Sequence, residues 1–338
     1  MSTSDKLFQK NIKNENTRAI FCAIAGVSGI SRAEISEKTG LSLMTVGKVA
    51  DILVKEEYIT QAKPAREMAG RRAGMLTVAD NHFIFVIDIS GDVCRASVLN
   101  LKLETIDSMS YPYNDSLFPE DNLMIFLRES GTLLFRNLAT KKLIGTGVCV
   151  ASAVKDGKNI SKYSILNENI TEIVRNAIGI IPDVVMNRME AAAIFELEGL
   201  APELKGCTIS LQIGKKIDGC IAIDGKIIER PSDFGNLICA NGKTLSENLI
   251  AGTNIFDEEE MCRQLAFALR PIITVLAPSA VFISRYGEKG FSEWFAKLLR
   301  FELEKFCVAP EIFLESGRTA RCDMGVGMIL RDKMINKL

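Results

Sequence analysis

Between Ser31 and Ile59 the chain reads SRAEISEKTGLSLMTVGKVADILVKEEYI, and its small polar and basic side chains fall where a helix can offer them to nucleic acid. Ser31 precedes Glu34 by three residues, so its hydroxyl can accept from an early helical N–H while Glu34 returns to the Ser31 N–H. This capping box starts a helix near Arg32. The helix ends at Thr39-Gly40, because glycine readily takes the left-handed conformation of a helix C-terminus. Ser42 then caps the next helix. There Val46, Val49, Ala50 and Leu53 recur at core-facing spacing, which leaves Ser42, Met44, Thr45, Gly47 and Lys48 on the outward N-terminal half. Two helices joined by so short a turn form a helix-turn-helix, whose second helix meets base edges in the major groove. Ser31 and Arg32 complete the candidate DNA-binding set on these helices. The alternative is an ordinary helical hairpin with a solvated face.

The flanking residues supply the elements that would position this pair. Upstream, Asn16 to Ala25 carries Ile20, Phe21 and Ile24 at helical spacing. Downstream, Tyr58 to Gln61 reads as a strand, KPAREMAGRRAG as a basic loop and Met75 to Val78 as a returning strand, the outline of a winged helix. Arg71 and Arg72, between Gly70 and Gly74, are candidate contacts to phosphates or a minor groove; a solvated hairpin tip is the alternative. Residues 1–79 contain 12 Lys+Arg against 8 Asp+Glu, a net of +4, whereas residues 80–338 contain 29 against 34, a net of −5. Basic charge is thus concentrated where phosphates would be met.

At 338 residues the chain exceeds one domain. No apolar run approaches the length that spans a bilayer, and the N-terminus lacks the apolar stretch of a signal peptide. Nine scattered Cys with no CxxC pair fit reduced, buried thiols, so the expected location is cytoplasmic. The single histidine, His82, beside a strand, is read as structural or exposed.

Beyond residue 80 one pattern occurs twice: three meandering strands (83–89, 93–99 and about 103–110; then 207–213, 219–223 and 226–229), each set followed by alternating helices and strands. Asp224-Gly225 is a strong hairpin signal inside the second set. The predicted fold is α/β, with an N-terminal winged helix-turn-helix at 1–79, a first lobe at 80–193 and a second at 194–338, whose C-terminal helix can return to the first lobe. Two such lobes imply a cleft between them.

LSLMTVGKVADILVKEEYI, the GRR of the wing and this order of elements resemble the ROK family of bacterial transcriptional repressors and sugar kinases, over nearly the whole chain. The resemblance implies a winged helix for operator DNA, joined to a two-lobed actin-like (ribonuclease H-like, sugar-kinase type) domain that senses a sugar or sugar phosphate.

Four family motifs can be compared with this chain. The phosphate turn D-x-G-G-T appears as Asp88-Ile89-Ser90-Gly91-Asp92, with a carboxylate near phosphate. The Asn-Asp pair, whose Asp is the general base, appears as Asn187-Arg188, and Arg cannot accept that proton. The second Gly-rich turn appears as Gly214-Lys215-Lys216-Ile217-Asp218-Gly219, with bulky charges in place of small residues. The Glu-x-Gly-His run and its zinc thiolates appear as Asp233-Phe234-Gly235-Asn236 followed by Cys239-Ala240-Asn241-Gly242. One Cys cannot hold a tetrahedral structural zinc. Neither phosphotransfer nor a metal or other cofactor is therefore expected.

By matching position, Asn187, Asp233 and Asn236 remain candidate ligand-binding residues, and the Arg188 fork suits an anionic ligand such as a sugar phosphate. Arg188 can instead form a structural ion pair with Glu190 or Asp233. The expected partners are operator DNA, a sugar or sugar-phosphate effector and a second copy of the chain in a homodimer or higher oligomer, with no membrane. Effector binding would alter the lobe angle and so the spacing of two winged helices. Two alternatives stand beside this: lobes that serve only dimerisation or a protein partner, and an active sugar kinase.

Overall fold

The computed structural model describes residues 3–62, 74–89, 93–112, 114, 116–151, 154–155, 158–159, 169–200, 203–213, 217–228, 233–250, 257–285, 291–314 and 321–338. The N-terminal unit holds three helices, α1 (Thr3–Ala25), α2 (Arg32–Thr39) and α3 (Leu43–Lys55), then an antiparallel hairpin of β1 (Ile59–Gln61) and β2 (Leu76–Val78). This is the element order of a winged helix. The local rules operate as expected: both halves of the Ser31–Glu34 capping box form, Gly40 sits at φ 71°, and Ser42 accepts from the Thr45 N–H. Val46, Val49, Ala50 and Leu53 are all buried.

Two five-stranded sheets follow, with one topology. In the first, β5 (Thr105–Pro112), β4 (Val93–Leu99), β3 (His82–Asp88), β6 (Lys142–Val150) and β9 (Val184–Asn187) lie in that order. The second has β12 (Lys226–Ile227), β11 (Ile217–Ile223), β10 (Cys207–Ile213), β13 (Ala280–Arg285) and β14 (Glu311–Leu314). Each is an antiparallel meander extended by two parallel strands, as the repeated sequence pattern requires. The turn joining β11 to β12 places Asp224 at φ 49° and Gly225 at φ 75°, the two positive values that make Asp-Gly effective in a tight hairpin. A small hairpin, β7 (Val154–Lys155) with β8 (Lys158–Asn159), hangs from the first lobe.

Helices α4 (Pro119–Leu138) and α5 (Ile170–Ile178) pack with one face of the first sheet in a core built on Phe83, Phe85 and Phe126. The second lobe closes its core with α7 (Leu245–Ile250), α8 (Glu258–Leu276) and α9 (Phe295–Glu304). Between the sheets lies α6 (Arg188–Phe195), which continues as a π-helical turn, Glu196–Leu200; it touches β9 and β6 on one side and β10, β11 and β12 on the other. The C-terminal helix α10 (Arg321–Ile335) returns to the first lobe, against β3, β6 and α6.

The third core cluster joins the N-terminal unit to the first lobe without a break: Ile20, Phe21, Ile24 and Leu53 belong with Ile84, Val86, Val326 and Ile335. His82 lies at this junction, buried, its ring 5.1 Å from that of Tyr58. Burial pushes its pKa down, and the neighbouring Lys142, ion-paired with Glu57, adds to the effect. The one histidine is therefore a structural residue.

Candidate functional site

On the N-terminal unit, the start of α3 presents its side chains outward. Met44 is 71% exposed and Leu43 59%; Ser42 and Lys48 are also exposed, with Thr45 and Gly47 half-buried. Ser42 and Thr45 hydroxyls hydrogen-bond at 2.9 Å. Gly47 faces open space, with nothing within 4 Å of where a Cβ would stand. Ser31 is engaged in its capping box, and Arg32 reaches across to Asp51 at 2.7 Å, tying α2 to α3. Arg71 and Arg72 fall outside the described residues. Leu43 was missed by reasoning from the core stripe, which it precedes. It stands three residues before Val46, on the same side of the helix as the stripe, but at the first helical position after the N-cap, where it is left exposed. Beside Met44 it gives the helix start an apolar surface of the kind that meets thymine methyl groups.

At the junction of the lobes, Asn187 ends β9 and caps α6, accepting from the Met189 N–H at 2.7 Å and donating to the Ala151 carbonyl at 3.1 Å. It is 1% exposed. Arg188, the first residue of α6, lies 3.9 Å from Asp88, with side-chain exposures of 12% and 5%. Sequence reasoning offered Glu190 or Asp233 as its partner. The structure brings Arg188 beside Asp88, an aspartate that neither expectation named.

Asp88 belongs to a buried cluster. The Cys322 thiol lies 3.5 Å from both Asp88 and Asp323 carboxylate oxygens, and Ser97 donates to Asp323. Cys322 is held well above its ordinary pKa, first by its hydrogen bond with Cys149 and then by burial. Asp323 is pushed up to about 6, first by burial and then by Asp88, while Ser97, Arg95 and Cys322 oppose the shift.

A pH signature follows from Asp323. Its folded-state value exceeds the ordinary 3.8, so the folded chain binds this proton more tightly than the unfolded chain. This group's contribution is therefore present in full below the unfolded value and is lost as pH rises through about 6. Acidification from pH 7 to 5 should yield about 1 kcal/mol from Asp323. Asp323→Asn should remove that slope in urea-unfolding midpoints measured against pH, whereas His82, with a depressed value, titrates with the opposite sign in both proteins. An unchanged slope would refute the assignment.

The fourth motif lies apart in the second lobe. Asp233 accepts from the Asn236 side chain at 2.7 Å and borders an apolar groove of about 450 Å³ with Phe234, Leu237, Ile221, Pro271 and Val275. Cys239 is buried, its thiol pushed up by burial against a hydrogen bond from Asn248. One buried thiol beside an amide side chain does not make up the four Cys/His ligands of a structural zinc. Gly219 is a packing residue inside β11: a Cβ there would stand 2.3 Å from the Phe234 ring and 2.9 Å from the Ser210 carbonyl. Residues 90–92 and 214–216 of the two glycine-rich turns fall outside the described residues.

No family model matches the chain. Among curated proteins, the xylose repressor of Bacillus subtilis (strain 168) is 30% identical over 163 residues, covering 47% of this chain and 41% of that protein. The xylose repressor of Bacillus spizizenii (strain ATCC 23059 / NRRL B-14472 / W23) is 27% identical over 162 residues, again 47% and 41%. The match thus spans less than half of either repressor's length. Among solved structures, a ROK family transcriptional regulator, a homologue of the E. coli MLC protein, superposes with a TM-score of 0.67 at 14% identity, covering 96% of this chain and 98% of its own. The polyphosphate/ATP-glucomannokinase of Arthrobacter sp. strain KM gives 0.59 at 17% identity, covering 74% of this chain and 98% of its own. The step from 96% to 74% of 338 residues is about 74 residues, the size of the N-terminal unit. The fold is that of the ROK family transcriptional regulator, and over just under half of its length the chain is similar in sequence to the two xylose repressors.

Proposed function

We propose that the protein is a sequence-specific DNA-binding regulator, a repressor of sugar-utilisation genes, whose two-lobed domain is a noncatalytic sensor for a sugar or sugar derivative. One observation carries the reading: two capped helices hold the outward start of α3 on a unit whose core is continuous with the sensor lobe. Ser42, Met44, Thr45, Gly47 and Lys48 contact bases or phosphates, Ser31 and Arg32 support them from α2, and Arg71 and Arg72 approach the DNA from the wing. A homodimer presents two such units to half-sites about one DNA turn apart. The Arg188–Asp88 pair at the base position supports a lobe domain without kinase turnover.

In vitro selection from a random duplex pool should enrich a motif with two-fold symmetry. A pool that stays unenriched would sink the proposal. Gly47 supplies a sharper expectation. Alanine there meets no atom and improves helix propensity, so Gly47→Ala should stabilise the fold by about 1 kcal/mol. If the α3 backbone approaches DNA closely, the same variant should bind the selected duplex more weakly, and anisotropy titration beside urea unfolding would separate the two effects.

Asn187 is buried in capping α6 and Arg188 is paired, which favours a second reading in which the lobes serve only dimerisation or a protein partner. Thermal-shift screening with D-xylose, other sugars and sugar phosphates discriminates the two, because a ligand that binds only the folded chain raises its melting temperature.

A further inference from the structure

The chain passes from the N-terminal unit to the first lobe through residues 79–82, and the other end of the chain makes a second, non-covalent link between them. Helix α10 has 15 residues, a rod of about 22 Å. Its first turn carries Cys322 and Asp323 into the buried cluster with Asp88, which lies beside Arg188. Its last turns enter the core that holds Ile20, Phe21 and Ile24 of α1. Arg331 is buried there, donates to the Leu101 carbonyl at 3.4 Å and lies 5.8 Å from the centre of the Phe21 ring.

Close glycine contacts leave the rod little slack. A Cβ on Gly325 would stand 1.8 Å from the Ala191 carbonyl oxygen of α6, and one on Gly147 of β6 would stand 2.1 Å from Val326 Cγ1. A displacement at the start of α6 is therefore passed to α10 as a body, since packed interfaces do not deform continuously. Both helices then converge on one residue of α1. Arg18 pairs with Glu198, in the π-helical turn that continues α6, and with Asp332 of α10 at 3.3 Å. Lys13 adds a hydrogen bond from α1 to the Leu338 carbonyl at 2.8 Å.

We infer that Arg18 is the joint through which the state of the lobe junction reaches the DNA-reading unit, with α6 and α10 as its two arms. The inference deepens the regulator reading, and it makes Arg18 a positioning residue that need not touch DNA. Hydrogen exchange on the full-length chain tests it without operator or effector. Arg188→Gln, which perturbs the lobe junction, should change exchange rates of α1 amides over residues 16–25 by about fivefold or more. In an Arg18→Gln background the same change should fall below about twofold. Asp332→Asn, which cuts only the α10 arm, should leave an intermediate response, and it keeps the test decisive if Arg18→Gln does not fold. An Arg188→Gln response in α1 of the same size with and without Arg18, or no response at all, would overturn the inference. Because DNA is absent, a failure of the joint is distinguishable from a failure of DNA binding, which the selection experiment reads separately.

Discussion

Gly325→Ala should lower the stability of the chain by about 3 kcal/mol, at the upper end of the range for overpacked sites. The added methyl would stand 1.8 Å from the Ala191 carbonyl oxygen and 2.6 Å from its carbon, both backbone atoms of α6. No rotamer change relieves that contact. Helix α6 cannot retreat easily, since it is packed against strands of both sheets, so α10 must lift. Lifting α10 disturbs Cys322, Val326, Leu330, Met334 and Ile335, which close the core shared with the N-terminal unit. Urea unfolding followed by circular dichroism measures the loss. The contrast with Gly47→Ala, expected to stabilise, is diagnostic, because the chemical change is the same and only the surroundings differ. A loss below about 1 kcal/mol would mean that α10 and α6 are not in backbone contact.

Asp88→Asn is expected to cost about 3 kcal/mol for a different reason. It removes one carboxylate from beside the Arg188 guanidinium, which is 12% exposed, and removing one member of a buried pair costs far more than the pair is worth. It also relieves Asp323 of a like charge that holds its pKa up, which offsets a fraction of the loss. The double variant Asp88→Asn/Arg188→Met should therefore be less damaging than the sum of the single changes, and a double-mutant cycle in urea reads the difference. Strict additivity would show that the two side chains act independently.

These residues also mark where sequence reasoning reaches its limit. The helix-turn-helix was legible because its determinants are local: a capping box three residues long, a glycine in the left-handed region, and a stripe at i, i+3, i+4 and i+7. The two sheets were legible because a meander followed by parallel strands was repeated, and Asp224-Gly225 announced its own turn. Helix α6 was not foreseen. Its residues RMEAAAIF are apolar on several sides because it lies between two lobes, so no single stripe stands out. Helix α9 runs over Phe295–Glu304, where its buried face begins with Phe295 and Leu299. The approach of Asp88 to Arg188 was illegible because Asp88 lies 100 residues away in the chain, and the parallel pairing of β3, β6 and β9 brings the two together. The glycines at 147 and 325 carry no local turn signal, since they serve contacts between elements that are distant in sequence.

A salt-dependent titration tests most directly whether the start of α3 reads DNA. A fluorescent duplex carrying the selected motif is titrated with the native chain and with Lys48→Ala at several salt concentrations. The native chain should bind with an affinity that falls steeply as salt rises. Lys48→Ala should weaken binding and reduce the slope of log K against log salt by about 1, the signature of one lost phosphate contact. Unchanged affinity and slope for Lys48→Ala, or a native chain that prefers the selected duplex no more than a scrambled one, would contradict the assignment of α3 as the recognition helix.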